Sequence, residues 1–180
     1  MKNKIIIIFV IAFFIFLLIL LREPSESQDI VKDKLVLNYS NLLFNYKIIR
    51  YPSSVEITPS SEGNMNVEIV TDPWNLNFGG VPGNGSSIKR YIGITNLKEK
   101  YNKIKIKPYG NISLLVNFSK NDFTLKENES AVVEVGLYTD TAKSGNYSGE
   151  IDVIIKVPKY DFLSILLWFN EKIVFDYNLV

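Results

Sequence analysis

The sequence predicts an all-β domain, an antiparallel β-sandwich, preceded by a single N-terminal transmembrane helix. Three observations carry this expectation. The run Ile5 to Leu21, IIIIFVIAFFIFLLILL, has no polar side chain. Beyond it, apolar residues return at every second position in stretch after stretch, the period of a strand with one buried face. Between these stretches lie clusters of Gly, Pro, Asn, Asp and Ser, which turn the chain.

The apolar run would form a helix of roughly 25 Å, slightly short of a hydrocarbon core of about 30 Å. Lys4 and Arg22 flank it and can snorkel outward. A buried core helix would keep a polar face, and this run has none. A cleaved signal would end on a small-residue site. Here the run ends Leu20-Leu21-Arg22-Glu23-Pro24, with Ala12 in its middle, so an uncleaved anchor is expected. Lys2 and Lys4 precede the run without an acid, while the far flank mixes Arg22 and Lys32 with Glu23, Glu26, Asp29 and Asp33. That asymmetry predicts a cytoplasmic N-terminus and an extracytoplasmic body in the cell membrane.

Three segments follow: residues 1–21 as cytoplasmic start and anchor, 22–34 as a polar linker, and 35–180 as the extracytoplasmic β-domain. Leu35 to Ile49 is rich in Leu, Tyr and Ile and reads as a strand pair or a strand and a turn. Val55/Ile57 and Val67/Ile69 suggest further strands. Ile88, Ile92 and Ile94 alternate around Arg90, and Ile104 and Ile106 alternate with Lys103, Lys105 and Lys107. Ile112, Leu114, Val116 and Phe118 predict a strand over 111–119, with Leu115 as its exception. Ala131, Val133, Val135 and Leu137 give another, and Ile151, Val153, Ile155 and Val157 the last. Turns are expected at 59–64, 79–85, 120–122, 126–129 and 143–146. The apolar stretch Phe162 to Phe169 is too short to span a bilayer. It reads as cover for the core, or as a surface resting on the membrane or a partner.

The chain has no His and no Cys. This excludes imidazole bases, His or Cys metal ligands, thiolate nucleophiles and disulfides. It carries 20 Lys and Arg against 19 Asp and Glu. With Lys2 and Lys4 set aside, the exported part has a formal charge of −1. No basic block marks a nucleic-acid surface.

Residues 88–106, 111–139 and 141–157 together resemble the immunoglobulin-like β-sandwich repeats of archaeal and other prokaryotic cell-surface proteins. Gly145, Tyr147, Gly149, Ile151 and Val153 match the closing G-x-Y-x-G-x-I-x-V pattern of that family. The resemblance spans residues 87–157 and implies an immunoglobulin-like sandwich with an adhesive, stalk or assembly role. The plan of basic start, anchor and sandwich also looks like that of archaellum accessory stator proteins. No type IV pilin start is present.

Six Asn residues stand two before a Ser: Asn38, Asn84, Asn111, Asn117, Asn128 and Asn146. In an exported chain these are candidate N-glycosylation sites, Asn84 and Asn128 foremost because they lie in turn clusters. The stretch Gly79 to Ser87 lacks the helix and Gly-Lys-Ser/Thr of a phosphate loop and reads as a turn. Asp72, Asp122, Asp140 and Asp152 read as turn or surface residues and form no calcium-loop pattern. Trp74, Tyr91, Tyr101 and Tyr109 offer stacking faces for sugar. No catalytic residue, metal ligand or cofactor site is expected. The leading expectation is a non-enzymatic, single-pass surface protein whose sandwich contacts proteins of the envelope or surface layer; the alternative is a carbohydrate-binding envelope module.

Overall fold

The structure is a computed structural model that describes residues 31–59, 66–68, 74–83 and 85–164, with positions 7, 10–13, 15 and 16 near the N-terminus. Ten strands form among them. They are β1 (Leu35–Ser40), β2 (Phe44–Thr58), β3 (Asn66–Glu68), β4 (Leu76–Pro82), β5 (Ser87–Thr95), β6 (Asn102–Gly110), β7 (Val116–Phe118), β8 (Phe123–Leu125), β9 (Ser130–Tyr138) and β10 (Gly145–Pro158). One sheet has the order β1-β2-β10-β6-β8, with β4 also beside β2; the other is β3-β5-β9-β7. The two sheets pack face to face in an all-β domain.

The period-two rows become the shared core. Val55 and Ile57 of β2, Ile104 and Ile106 of β6, and Ile151 and Val153 of β10 face inward from the first sheet. They meet Ile88, Ile92 and Ile94 of β5 and Val133, Val135 and Leu137 of β9. Successive side chains of a strand point to opposite faces, so each row fills one side of the interface. The spine of the first sheet is the long antiparallel pair β2·β10, in register from Ile57↔Gly145 to Phe44↔Pro158.

Pairing is mostly antiparallel, but two pairs depart from the sandwich expected: β2·β4 and β3·β5 are parallel. The cause is topological. After β2 the chain alternates between sheets, so β4 returns beside β2, and β5 beside β3, in the original direction. Parallel neighbours require such a crossover.

Gly79 and Gly80, expected in a turn, lie inside β4. The register with β2 shifts there, Ser54 pairing with Asn77 and Val55 with Gly79. Gly79 has φ +72°, open to a glycine, and its N–H is held by Asn77 Oδ1 at 2.9 Å. The extra residue resets the frame, so that Leu76, Phe78 and Val81 all reach the core despite their uneven spacing.

The strand expected over 111–119 forms only at its end. Asn111–Leu114 is a turn of 3-10 helix, and β7 begins at Val116. In consequence Leu115, the exception to the alternation, is buried with Ile112, while Leu114 points to solvent. Leu35 to Ile49 forms the β1–β2 hairpin, the strand pair that was one of the two expected readings.

The first sheet is covered on its second face as well. Phe44, Tyr46, Ile48 and Ile154 form a separate apolar cluster with Leu163, which sits on the helical turn at 161–164. The rest of the Phe162 to Phe169 stretch and the tail lie outside the described residues. So does most of Ile5 to Leu21, together with the turn at 60–64, Ile69, Asp72 and Asn84. No helix among the described residues is long and apolar enough to cross a membrane.

Candidate interaction surface

β2 and β10 extend beyond the reach of the second sheet. Past Ile49, the inward side of β2 is no longer covered, and Asn45 and Lys47 are exposed. β1 continues this open shelf. Val36 and Asn38 lie opposite Ile49 and Lys47, and across a gap stands the β5–β6 loop with Leu97 and Lys98. The result is an open groove of about 820 Å³, with Lys47 and Lys98 but no acid in its lining. Leu97 is 81% exposed and Val36 44%. An adjoining groove of about 520 Å³ adds Glu99, Lys100 and Lys159; Lys100 pairs with Asp161 at 2.8 Å.

The loop wall of the groove is built on one buried side chain that the sequence did not single out. Asn96 Nδ2 donates to the carbonyls of Lys100, Leu125 and Lys126, and its Oδ1 accepts from the Lys98 N–H and from Asn102 Nδ2. These bonds satisfy the buried amide and fix the loop without a disulfide. The only signal available was an Asn at the end of an alternating row, which is also an ordinary turn signal.

β1 differs from the shortest and the interrupted edge strands. Longer edges among the described residues also occur on β5 beyond Lys89, a stretch that carries Arg90, and on β9 before Val135, a stretch that carries Glu134. β3, β7 and β8 are three residues long, and β4 carries the bulge and ends in Pro82. Short length, bulges and proline are the usual protections of an edge. β1 has none of them: six residues, LVLNYS, uncharged, with Leu35, Val36 and Tyr39 exposed. Among the described residues it is paired on one side only.

Behind this edge, on the covered face of the first sheet, lies a charged cluster. Arg50 is 3% exposed, and Glu150 and Asp152 are fully buried. Arg50 Nε donates to Asp152 Oδ2 at 3.1 Å and stands 3.8 Å from Glu150 Oε1. The backbone N–H of Val31 donates to Glu150 Oε2 at 3.3 Å, fastening the segment before β1 to the sheet. Asp152 is therefore not the turn or surface residue expected; a burial pattern on both faces of β10 encloses it. Asp122 and Asp140 are in turns and exposed, Asp122 paired with Lys103. Among the described residues, no three His, Cys, Asp or Glu side chains gather to hold a metal ion.

The candidate glycosylation sites are spread over the domain. Asn38 is on β1 beside the groove, Asn117 on the edge strand β7, and Asn146 at the start of β10, all exposed. Asn128 is exposed in the β8–β9 turn with φ +57°. Asn111 is also exposed, but its Oδ1 accepts the Ser148 N–H at 2.6 Å. The four aromatics do not come together. Trp74 is 69% exposed before β4 with Lys34 over its ring. Tyr91 is on β5 opposite Glu134, and Tyr101 and Tyr109 lie at opposite ends of β6, roughly 26 Å apart along a strand.

No family model, curated protein or solved structure matches the chain. The immunoglobulin-like resemblance thus stands here at the level of two packed, mostly antiparallel sheets.

Proposed function

We propose that this chain is a membrane-tethered, non-enzymatic surface protein whose β-domain makes protein contacts in the cell envelope. The supporting observation is a contrast of exposure. The domain buries its apolar rows, yet helical residues Ile7, Val10, Ile11, Phe13, Ile15 and Phe16 are each at least half exposed. A cluster of exposed apolar side chains of this kind is what a lipid-facing segment presents. The anchor holds the domain at the outer face of the membrane, and the polar linker sets its reach. Contacts then fall to the open shelf and to the strand edge.

The absence of cysteine makes orientation directly testable. Glu127→Cys, in an exposed turn, is expected to react with a membrane-impermeant maleimide in intact cells, whereas Lys2→Cys reacts only after permeabilisation. The opposite pattern would overturn the orientation. Intact-mass measurement of the native protein is expected to show glycan on Asn128, lost in Asn128→Gln; an unmodified mass would remove that part of the reading.

A further inference from the structure

We propose that β1 and the groove beneath it form a strand-addition site for an extended, acidic segment of a partner protein. The inference rests on the protein-contact reading above and assigns that contact a place and a chemistry. The first part of the argument is the edge. Strand addition needs an unpaired row of backbone N–H and C=O groups, which gives affinity without regard to sequence. β1 combines six residues of length, regular pairing with β2 and freedom from charge, bulge or proline, and it borders the groove.

The second part is the groove. A strand laid against β1 alternates its side chains, and one set projects into the shelf between β1 and the Leu97–Lys98 loop. There it meets Val36 and Leu97 as apolar contacts and Lys47 and Lys98 as cations, with no acid in the lining. Acidic side chains interleaved with apolar ones complement that surface. A second copy of β1 does not, because LVLNYS brings no acid to the two lysines. The buried hydrogen bonds of Asn96 hold the loop wall in place before anything binds, which lowers the cost of ordering it. Asn38 projects on the same face, so a glycan there and a docked strand exclude one another.

The test uses the full chain in neutral phosphatidylcholine nanodiscs and capped nine-residue peptides, read by fluorescence anisotropy. Three peptides alternate Val with Glu, Gln or Lys; a fourth is the Glu peptide N-methylated at alternate amides. The Glu peptide is expected to bind on the order of tenfold more tightly than the Lys peptide, the scale of two exposed ion pairs gained or opposed. The preference should shrink at high salt. Lys47→Glu with Lys98→Glu, both exposed and outside the core, is expected to reverse the order. N-methylation should abolish binding, because it removes the ladder donors.

Equal binding of the methylated peptide would show simple charge attraction and overturn strand addition. So would no binding by any peptide, or a concentration-dependent dimer that Val36→Lys dissociates, which would make the occupant a second copy. In-cell cross-linking separates this inference from the wider reading. Protein cross-links confined to other faces overturn the β1 site alone, and cross-links to lipid only overturn both.

Discussion

Replacing Arg50 by Ala is expected to cost about 3–5 kcal/mol of stability, the scale of stranding a buried charge. Glu150 and Asp152 are fully buried on the face they share with Arg50, and Asp152 lies directly opposite it in the β2·β10 pair. Removing the guanidinium leaves two carboxylates close to one another with their side chains shut off from bulk solvent. Lys107 faces Asp152 from β6 and remains as a cation, which places the expected loss in the lower half of that range. Arg50→Lys keeps the charge but loses the planar fork and should fall between. The triple variant Arg50→Met, Glu150→Gln, Asp152→Asn removes the stranded charges and is expected to recover most of the loss. Urea unfolding of the detergent-solubilised chain, followed by tryptophan fluorescence, reads all three. A cost below about 1 kcal/mol for Arg50→Ala would show that the acids draw their compensation elsewhere.

The second large effect is steric. Gly149→Ala is expected to destabilise by about 3 kcal/mol or more, the upper end of overpacking costs. A Cβ at position 149 would run into the Tyr109 carbonyl and come within 2.8 Å of Ile112 Cγ2. Gly110, its partner across β10·β6, has φ +78°, and a Cβ there would meet the Ser148 carbonyl oxygen at 2.6 Å. Two backbones approach too closely at this point for any side chain, and backbone cannot move aside as a flexible side chain does. Gly93→Ala, in β5 with nothing within 4 Å, is the control and should change stability by no more than about 0.5 kcal/mol. The same urea titration distinguishes them, and equal effects at 93 and 149 would refute the close-approach account.

The one-sided strands were legible because alternation encodes which face is buried. Ile104, Ile106, Ile88, Ile92, Val133 and Val135 all sit where their period placed them. Legibility failed where two environments meet on one strand. Gly149 to Ile154 are buried without a break, and alternation cannot reveal that the polar set of β10 is enclosed as firmly as the apolar set. Residues 111–114 mimic a strand because Ile112 and Leu114 have the right spacing, but the 3-10 turn rotates Leu115 inward instead. The paired glycines at 79 and 80 carried a turn signal, while their role is to insert one residue and restore the frame of β4. The groove was illegible for a different reason. It arises from a difference in length between two sheets, and no local pattern records where the opposing sheet stops.

The β2·β10 spine joins residues far apart in the chain; the Arg50–Asp152 bond alone closes a separation of 102 residues. Synthesis proceeds from the N-terminus, so β2 emerges long before its principal partner exists. Closing so large a loop late makes completion of the first sheet a slow, all-or-none event. Until β10 arrives, Tyr46, Ile48, Val55 and Ile57 have no central neighbour to hide them. The newborn chain is thus most prone to aggregation in the interval between making β2 and making β10.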